Sequence, residues 1–181
     1  MSSSVQGNKR LYTFTSTGSI RFSGDVSAQV LIVGGGGGGG AGYLTYEGAG
    51  GGGGGGIGVG TLTFRENEIY TVTVGNGGNR GIGSSDSSSL IYGTNGGNSS
   101  IVGAGINAVA YGGGAGATVN TDGSGQNGGS GGGAMNRSNR GSLRGTATRG
   151  TGEPLTYYGY NGGTVSSSSG GGRGRWRRGR Q

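Results

Sequence analysis

Ile32-Val33-(Gly34–Gly40)-Ala41-Gly42-Tyr43-Leu44-Thr45-Tyr46-Glu47-Gly48-Ala49-(Gly50–Gly56)-Ile57-Gly58-Val59-Gly60 is the stretch that decides the fold. Two unbroken runs of seven glycines flank a short aromatic piece. Such runs are either mobile linkers or packed backbone. Ordering costs each glycine roughly 0.5–1 kcal/mol more than alanine, so packing needs a gain that only a chain without side chains can make. Polyproline II geometry supplies one. It has about three residues per turn, a rise of about 3.1 Å and backbone polar groups that all point outward. With only hydrogen at Cα, such helices can lie side by side and bond to one another, and seven residues would span about 22 Å. The borders of the runs favour packing. Ser27-Ala-Gln-Val-Leu-Ile-Val33 passes straight into glycine with no polar spacer, and each intervening piece is too short to be a domain.

Composition fits this reading. Of 181 residues 54 are glycine and only 28% are hydrophobic, so a side-chain core is small. One proline and no strict Gly-X-Y period exclude collagen. There is no cysteine and no histidine, which removes disulfides, thiolate sites, the commonest metal ligand and the usual general base. No apolar run reaches membrane-spanning length, and Met1-Ser-Ser-Ser-Val-Gln-Gly-Asn-Lys-Arg10 lacks the apolar stretch of a signal peptide. A route to the outside is then expected through lysis or as part of a particle. Charge is uneven. Residues 1–136 carry five basic groups against six acidic ones, whereas residues 137–181 carry nine arginines against one acid, Glu153.

Strand patterns occupy the rest. Arg10–Thr15 and Ser19–Ser23 alternate, the latter with Ile20 and Phe22 on one face. Ser27–Val33 ends in Val30-Leu-Ile-Val33, which reads as buried on both faces. Thr61–Phe64 and Glu68–Val74 are strands joined by the polar turn Arg65-Glu-Asn-Glu68, with Tyr70, Val72 and Val74 facing one way and Ile69, Thr71 and Thr73 the other. Ser88–Tyr92, Ser99–Val102 and Ile106–Tyr111 are shorter β-like pieces. The last runs into Gly112–Gly114, echoing the central junction. Nothing reads as a helix of useful length. The expected fold is all-β: short antiparallel strands with a layer of packed polyglycine II helices, in which Gly34, Gly37, Gly40, Gly50, Gly53 and Gly56 are structural.

Chemistry-bearing motifs are few. Val30–Gly40 contains a Gly-x-Gly-x-x-Gly after a strand, but a dinucleotide site needs a helix at its third glycine, and Gly38-Gly-Gly-Ala-Gly42 cannot start one. Glu66 and Glu68 lie in a charged turn and read as solvated, and no histidine can activate a serine. No catalytic, cofactor or metal residue is assigned, and the chain reads as a non-enzyme. Tyr43 and Tyr46 between the long runs, and Tyr157, Tyr158 and Tyr160 after Pro154, are candidate contacts to a receptor, set against a reading in which they cover the edges of the glycine layer. The tail Arg173-Gly-Arg175-Trp176-Arg177-Arg178-Gly-Arg180-Gln181 suits nucleic-acid contact or assembly, against a reading as a solvated tail. In assembly its partners on a neighbour would be Asp25, Glu47, Glu66, Glu68, Asp86 and Asp122.

Leu11–Thr15, Val30–Gly36, Gly58–Thr63, Tyr70–Gly78, Gly97–Ile101 and Ala110–Gly114 together resemble the glycine-rich domain of bacteriophage tail proteins and other viral structural proteins. The resemblance covers residues 10–135. It implies short strands beside polyglycine II helices, and in T-even-like phages a related module is the fibre-tip adhesin whose loops bind host receptors. The chain departs from that adhesin pattern in having no separate fibre-attachment domain and in its arginine-rich end. The domain reading is an N-terminal arm at 1–9, a glycine-rich domain at 10–135, an Arg/Tyr/Ser/Gly-rich extension at 136–172 and a basic tail at 173–181. The functional expectation is a virion structural protein, a tail or fibre component with its own copies or other virion subunits as partners and a host receptor as target. It would be located in the virion, assembled in the host cytoplasm, and extracellular if a fibre. The alternatives are a self-assembling capsid-surface or extracellular fibre protein, and a Gly/Arg-rich nucleic-acid-binding protein. Purified protein is expected to carry no nicotinamide, flavin or transition metal. Absorbance and elemental analysis check this, and a stoichiometric cofactor would contradict it.

Overall fold

A computed structural model of the chain describes residues 1–42, 48–85, 89–119, 123–135, 143–152 and 154–165. It is all-β, with antiparallel sheets and no helix among the described residues. The strands are β1 (Ser2–Gln6), β2 (Lys9–Thr13), β3 (Gly18–Ile20), β4 (Val26–Val33), β5 (Ile57–Phe64), β6 (Tyr70–Thr73), β7 (Ser99–Gly103), β8 (Ile106–Ala110), β9 (Gly150–Thr151) and β10 (Thr156–Tyr158). A three-stranded sheet, β10-β5-β4, faces a five-stranded one, β3-β6-β7-β8-β9. Between them lies the side-chain core. Ile32, Leu62 and Phe64 come from the small sheet and Tyr70, Ala108 and Ala110 from the large one, with Leu155 closing the side. Tyr70 is wholly buried, and its hydroxyl accepts the Arg65 N–H at 2.7 Å. Phe22, Phe64 and Tyr70 stack in sequence beside it. Tyr70 and Val72 face inward and Ile69 outward, as the alternation predicts.

Each central strand runs directly into a glycine-rich segment, or out of one. We number these segments I (34–42), II (48–56), III (75–83), IV (89–98), V (111–119), VI (123–128), VII (130–135), VIII (143–149) and IX (159–165). The β4–β5 ladder, from Val26↔Phe64 to Val33↔Ile57, continues without a change of register into segments I and II. Gly34, Gly37 and Gly40 donate their N–H groups to the carbonyls of Gly56, Gly53 and Gly50. The β6–β7 ladder continues likewise through Asn76/Gly97, Asn79/Thr94 and Ile82/Ile91, and the β7–β8 ladder through Gly96 to Gly113. Only the rhythm changes. Bonds that a strand repeats every second residue recur every third, which is the period of polyproline II.

That period gives each segment three bonding faces. In segment I, Gly34, Gly37 and Gly40 donate to segment II, while Gly35 and Gly38 donate to segment IV at Gly97 and Thr94. Gly36 and Gly39 accept from segment III, and Gly35, Gly38 and Ala41 accept from segment V. Segment II in turn donates from Gly50, Gly53 and Gly56 to Ala117, Gly114 and Tyr111 of segment V. The six glycines named from the sequence are therefore the ones that tie segment I to II and II to V. Segment V lies among I, II, IV, VI and VII, and residues 112–119 are all buried. The most enclosed segment is thus this one, not either seven-glycine run. Where no neighbouring carbonyl is in reach, side chains take its place. Asn95 and Asn98 accept from Ala115 and Gly112, Asn127 and Asn161 from Thr146 and Ala147, and Ser99 from Gly75. The bonds at Gly75, Gly112 and Ala115 satisfy backbone donors that burial would otherwise strand.

Four sequence readings need correction. Leu31 and Val33 are 68% and 50% exposed, so β4 is buried on one face only. Its outward face reads as core because it is apolar, and it faces solvent because no third layer covers it. Ser88 lies outside the described residues, and the rest of the Ser88–Tyr92 piece forms no strand of the sheets. From Leu90 it belongs to segment IV, touching segment III through a single bridge, Ile82↔Ile91. Residues 1–9 are no free arm. Ser2–Gln6 pairs with Lys9–Thr13 across a two-residue turn, and Gly7 at φ 60° supplies the conformation its first corner needs. Finally, the boundary at 135 is not an edge of the fold. β9 and β10 complete both sheets, and segments VIII and IX extend the glycine lattice.

The lattice makes a prediction within one run of identical residues. A methyl at Gly37 would overlap the Gly114 carbonyl, whereas one at Gly36 would have its nearest neighbour, the Gly53 oxygen, at 3.9 Å. Gly37→Ala is expected to destabilise by about 1–3 kcal/mol as an overpacked site. Gly36→Ala is expected to be neutral or to stabilise by about 0.4–1 kcal/mol through the unfolded chain. Thermal and denaturant unfolding read the difference, and equal effects at the two positions would contradict the lattice.

Candidate functional site

Chain direction distinguishes the two ends of the molecule. Segments I, III, V, VII and IX run parallel. Gly78 and Gly81 bond to Gly36 and Gly39, Gly113 and Gly116 to Gly35 and Gly38, Gly114 and Ala117 to Ser130 and Gly133, and Gly131 and Ala134 to Tyr160 and Gly163. All five run away from the strands. Segments II, IV, VI and VIII return. The connections at 43–47, 86–88, 120–122 and 136–142 therefore all leave from and return to one far end of the bundle. The opposite end carries short strand turns, such as Gly103-Ala104-Gly105-Ile106 between β7 and β8.

A second, small core lies beneath the far end. Ala41, Leu90, Ala117, Val119 and Met135 pack together, each from a different pass of the chain except the two of segment V. Thr118 is buried beside them and accepts the Ala41 N–H at 3.0 Å on its Oγ1. Around the rim Arg80, Ile82, Ile91, Tyr92, Leu143 and Arg144 are exposed. The sequence reading missed this rim. Its signal was available: apolar residues next to glycine segments that are too short to bury them.

The residues singled out from the sequence fall in separate places. Tyr43 and Tyr46 lie outside the described residues, in the far-end connection between segments I and II. Tyr157, Tyr158 and Tyr160 sit where β10 passes into segment IX, beside Ile57 at the strand end of segment II. The ring of Tyr157 covers Gly58 and Gly150, and its hydroxyl donates to the Thr151 carbonyl at 2.6 Å, so it has a packing role. Tyr158 and Tyr160 are 50% and 77% exposed. Asp25 and Glu66 meet at the strand end, where Asp25 accepts the Glu66 N–H at 2.7 Å, and Glu68 follows in the same turn. Glu47, Asp86, Asp122 and the basic residues Arg173, Arg175, Arg177, Arg178 and Arg180 with Trp176 lie outside the described residues. Among the described residues no three His, Cys, Asp or Glu side chains come together. No helix among them is long and apolar enough to cross a membrane. Segment I follows β4 as extended chain, so the glycines of the apparent dinucleotide motif bond to the backbone of neighbouring segments.

A family model described as a glycine-rich domain matches residues 14–181. No curated protein and no solved structure matches the chain. Thr118 gives a direct test of how the far end is held. Thr118→Val keeps the shape but removes the acceptor for Ala41, at an expected cost of about 1–3 kcal/mol. Hydrogen exchange at the Ala41 amide should accelerate and thermal stability should fall. Unchanged exchange would show that the bond does not hold the far end.

Proposed function

The chain belongs to this glycine-rich domain family, and from that premise we propose that it is a virion structural protein, a tail or fibre component that presents its far-end connections to a host surface. One observation carries the proposal. Segments I, III, V and VII all end, and II, IV, VI and VIII all begin, at one end of a side-chain-poor lattice, so four connections leave from it. Recognition residues are commonly placed on loops held by a rigid scaffold, because the scaffold tolerates their variation. Here the lattice bonds are backbone to backbone, so the connections can change sequence without disturbing them. The proposal assigns tyrosines to contact, since tyrosine combines rigid area with a hydroxyl. It assigns no catalysis, cofactor or metal to the chain. The cluster of nine arginines after residue 136 favours a second reading, contact with nucleic acid through Arg173–Arg180, which predicts binding that weakens steeply with salt.

Immunoelectron microscopy of particles from cells making the protein, followed by cell-adsorption assays with the full chain, tests the proposal. Label should appear at a particle extremity. Tyr43→Ser with Tyr46→Ser should weaken adsorption by roughly tenfold, the effect of losing about 1.4 kcal/mol of contact, with an unchanged melting temperature. A protein absent from particles, or adsorption indifferent to both tyrosines, would remove the adhesin reading.

A further inference from the structure

The lattice has an open edge, and its geometry points to an occupant. Segment I has neighbours on four of six sides and segment II on three. On the outer face, opposite segment V, a groove runs between them. Its donor and acceptor rows follow from the three-residue phase. The carbonyls of Gly37 and Gly40 and the amides of Gly52 and Gly55 point along it, and none has a partner among the described residues. Cα hydrogens of Gly36 and Gly39 also face the groove, since a methyl at either would meet nothing closer than 3.9 Å. An acceptor row on one wall and a donor row on the other are what one more polyglycine II helix requires.

The same outer face is apolar where the lattice gives way to strands. Leu31 pairs with Val59, and Val33 with Ile57, which also pairs with Tyr158. All five are exposed, and no outward residue of β4, β5 or β10 is charged. Contiguous apolar patches of this kind mark contact surfaces.

We propose that this groove docks segment II of a second copy of the chain, so that the glycine lattice continues from one subunit into the next. Segment II has the matching chemistry. Gly51, Gly52 and Gly54 are exposed, the amides of Gly51 and Gly54 and the carbonyls of Gly52 and Gly55 are unpaired among the described residues, and a seven-glycine run puts no Cβ in the way. Its adjacent donor and acceptor faces fit the acceptor wall and the donor wall of the groove. Of the glycine runs outside the described lattice, Gly170–Gly172 is too short to fill both rows before it meets Arg173. The contact is heterologous, because the groove of one subunit meets a different surface of the next. Contacts of that type repeat into rings or filaments. The inference goes beyond the host-surface reading and does not depend on it.

Sedimentation velocity of the full chain over a range of concentrations tests the proposal. Wild type should self-associate. Gly36→Ala with Gly39→Ala puts two methyls into the groove without touching the lattice, and should weaken association by roughly tenfold or more at an unchanged melting temperature. Gly51→Ala with Gly54→Ala should do the same from the partner side, since its methyls meet nothing within the subunit closer than 4.0 Å. It also serves if the first pair folds poorly. Leu31→Lys should weaken association through the apolar patch. A wild type that stays monomeric, or both alanine pairs associating like wild type, would overturn the proposal. So would association lost on changing Gly170, Gly171 and Gly172 to alanine yet kept in the alanine pairs, which would make the C-terminal run the occupant.

Discussion

A hydrogen bond repeated every third residue between chains without side chains is the constraint on which the rest depends. It requires glycine, or a residue whose Cβ finds a gap, at two positions in three of segments I and II. Methyls at Gly34, Gly35, Gly37, Gly38 and Gly40 would all overlap a neighbouring carbonyl, while Gly36 and Gly39 have room. Each bond contributes only about 0.5–1.5 kcal/mol net, but they are many, and they offset an ordering cost that isolated glycine could not bear. The side-chain core between the sheets is small, so it aligns the strands while the lattice supplies the bulk. Continuity of register ties the two parts together. A slip of one residue in β4–β5 would turn Ile32 and Leu62 outward and also move every bond from Gly34 to Gly56 off its phase.

The lattice also separates what must be constant from what can vary. Its bonds use backbone alone over most of segments I, II and V, and the connections hang from one end. A scaffold of this kind holds loops without prescribing their sequence. The opposite consequence is an edge. A lattice of parallel rods ends in unpaired donors and acceptors unless something covers it, as an open sheet does. Among the described residues segments I and II show such an edge on the face where β4 and β5 are apolar, so two separate features coincide on one surface.

Much of this fold is legible in the sequence, and the reason is local. Strand patterns such as Tyr70-Thr-Val-Thr73 alternate because one face meets the core, and the direct passage of Val33 into Gly34 with no polar spacer favours packed backbone over a linker. The three-residue phase at Gly34, Gly37 and Gly40 follows from polyproline II itself. What the sequence leaves dark is three-dimensional. Segment V is the most enclosed, yet its Gly112-Gly-Gly-Ala-Gly-Ala-Thr-Val119 is shorter in glycine than either flanking run, because alanine and threonine fit where a gap or a hydrogen bond awaits them. Val30–Val33 looks doubly buried because apolar character alone does not say whether the second layer belongs to the same chain. The far-end rim leaves only a local trace in the sequence, apolar residues beside short glycine segments, and that trace does not show that they share one end. Ile82 and Leu143 are far apart in sequence and meet one end only through the alternating direction of the segments. Residues 136 to 142 and 166 to 181 lie outside the described residues, so the tail's role rests on its charge.

Amide hydrogen exchange on dilute glycine-labelled protein, resolved residue by residue, tests the central claim most directly. The account predicts a period of three through both long runs. Gly34, Gly35, Gly37, Gly38 and Gly40 should be protected with Gly36 and Gly39 exchanging quickly, and Gly50, Gly53 and Gly56 protected with Gly51, Gly52, Gly54 and Gly55 fast. Uniformly fast exchange across Gly34–Gly40 and Gly50–Gly56 would show the runs to be linkers and contradict the account.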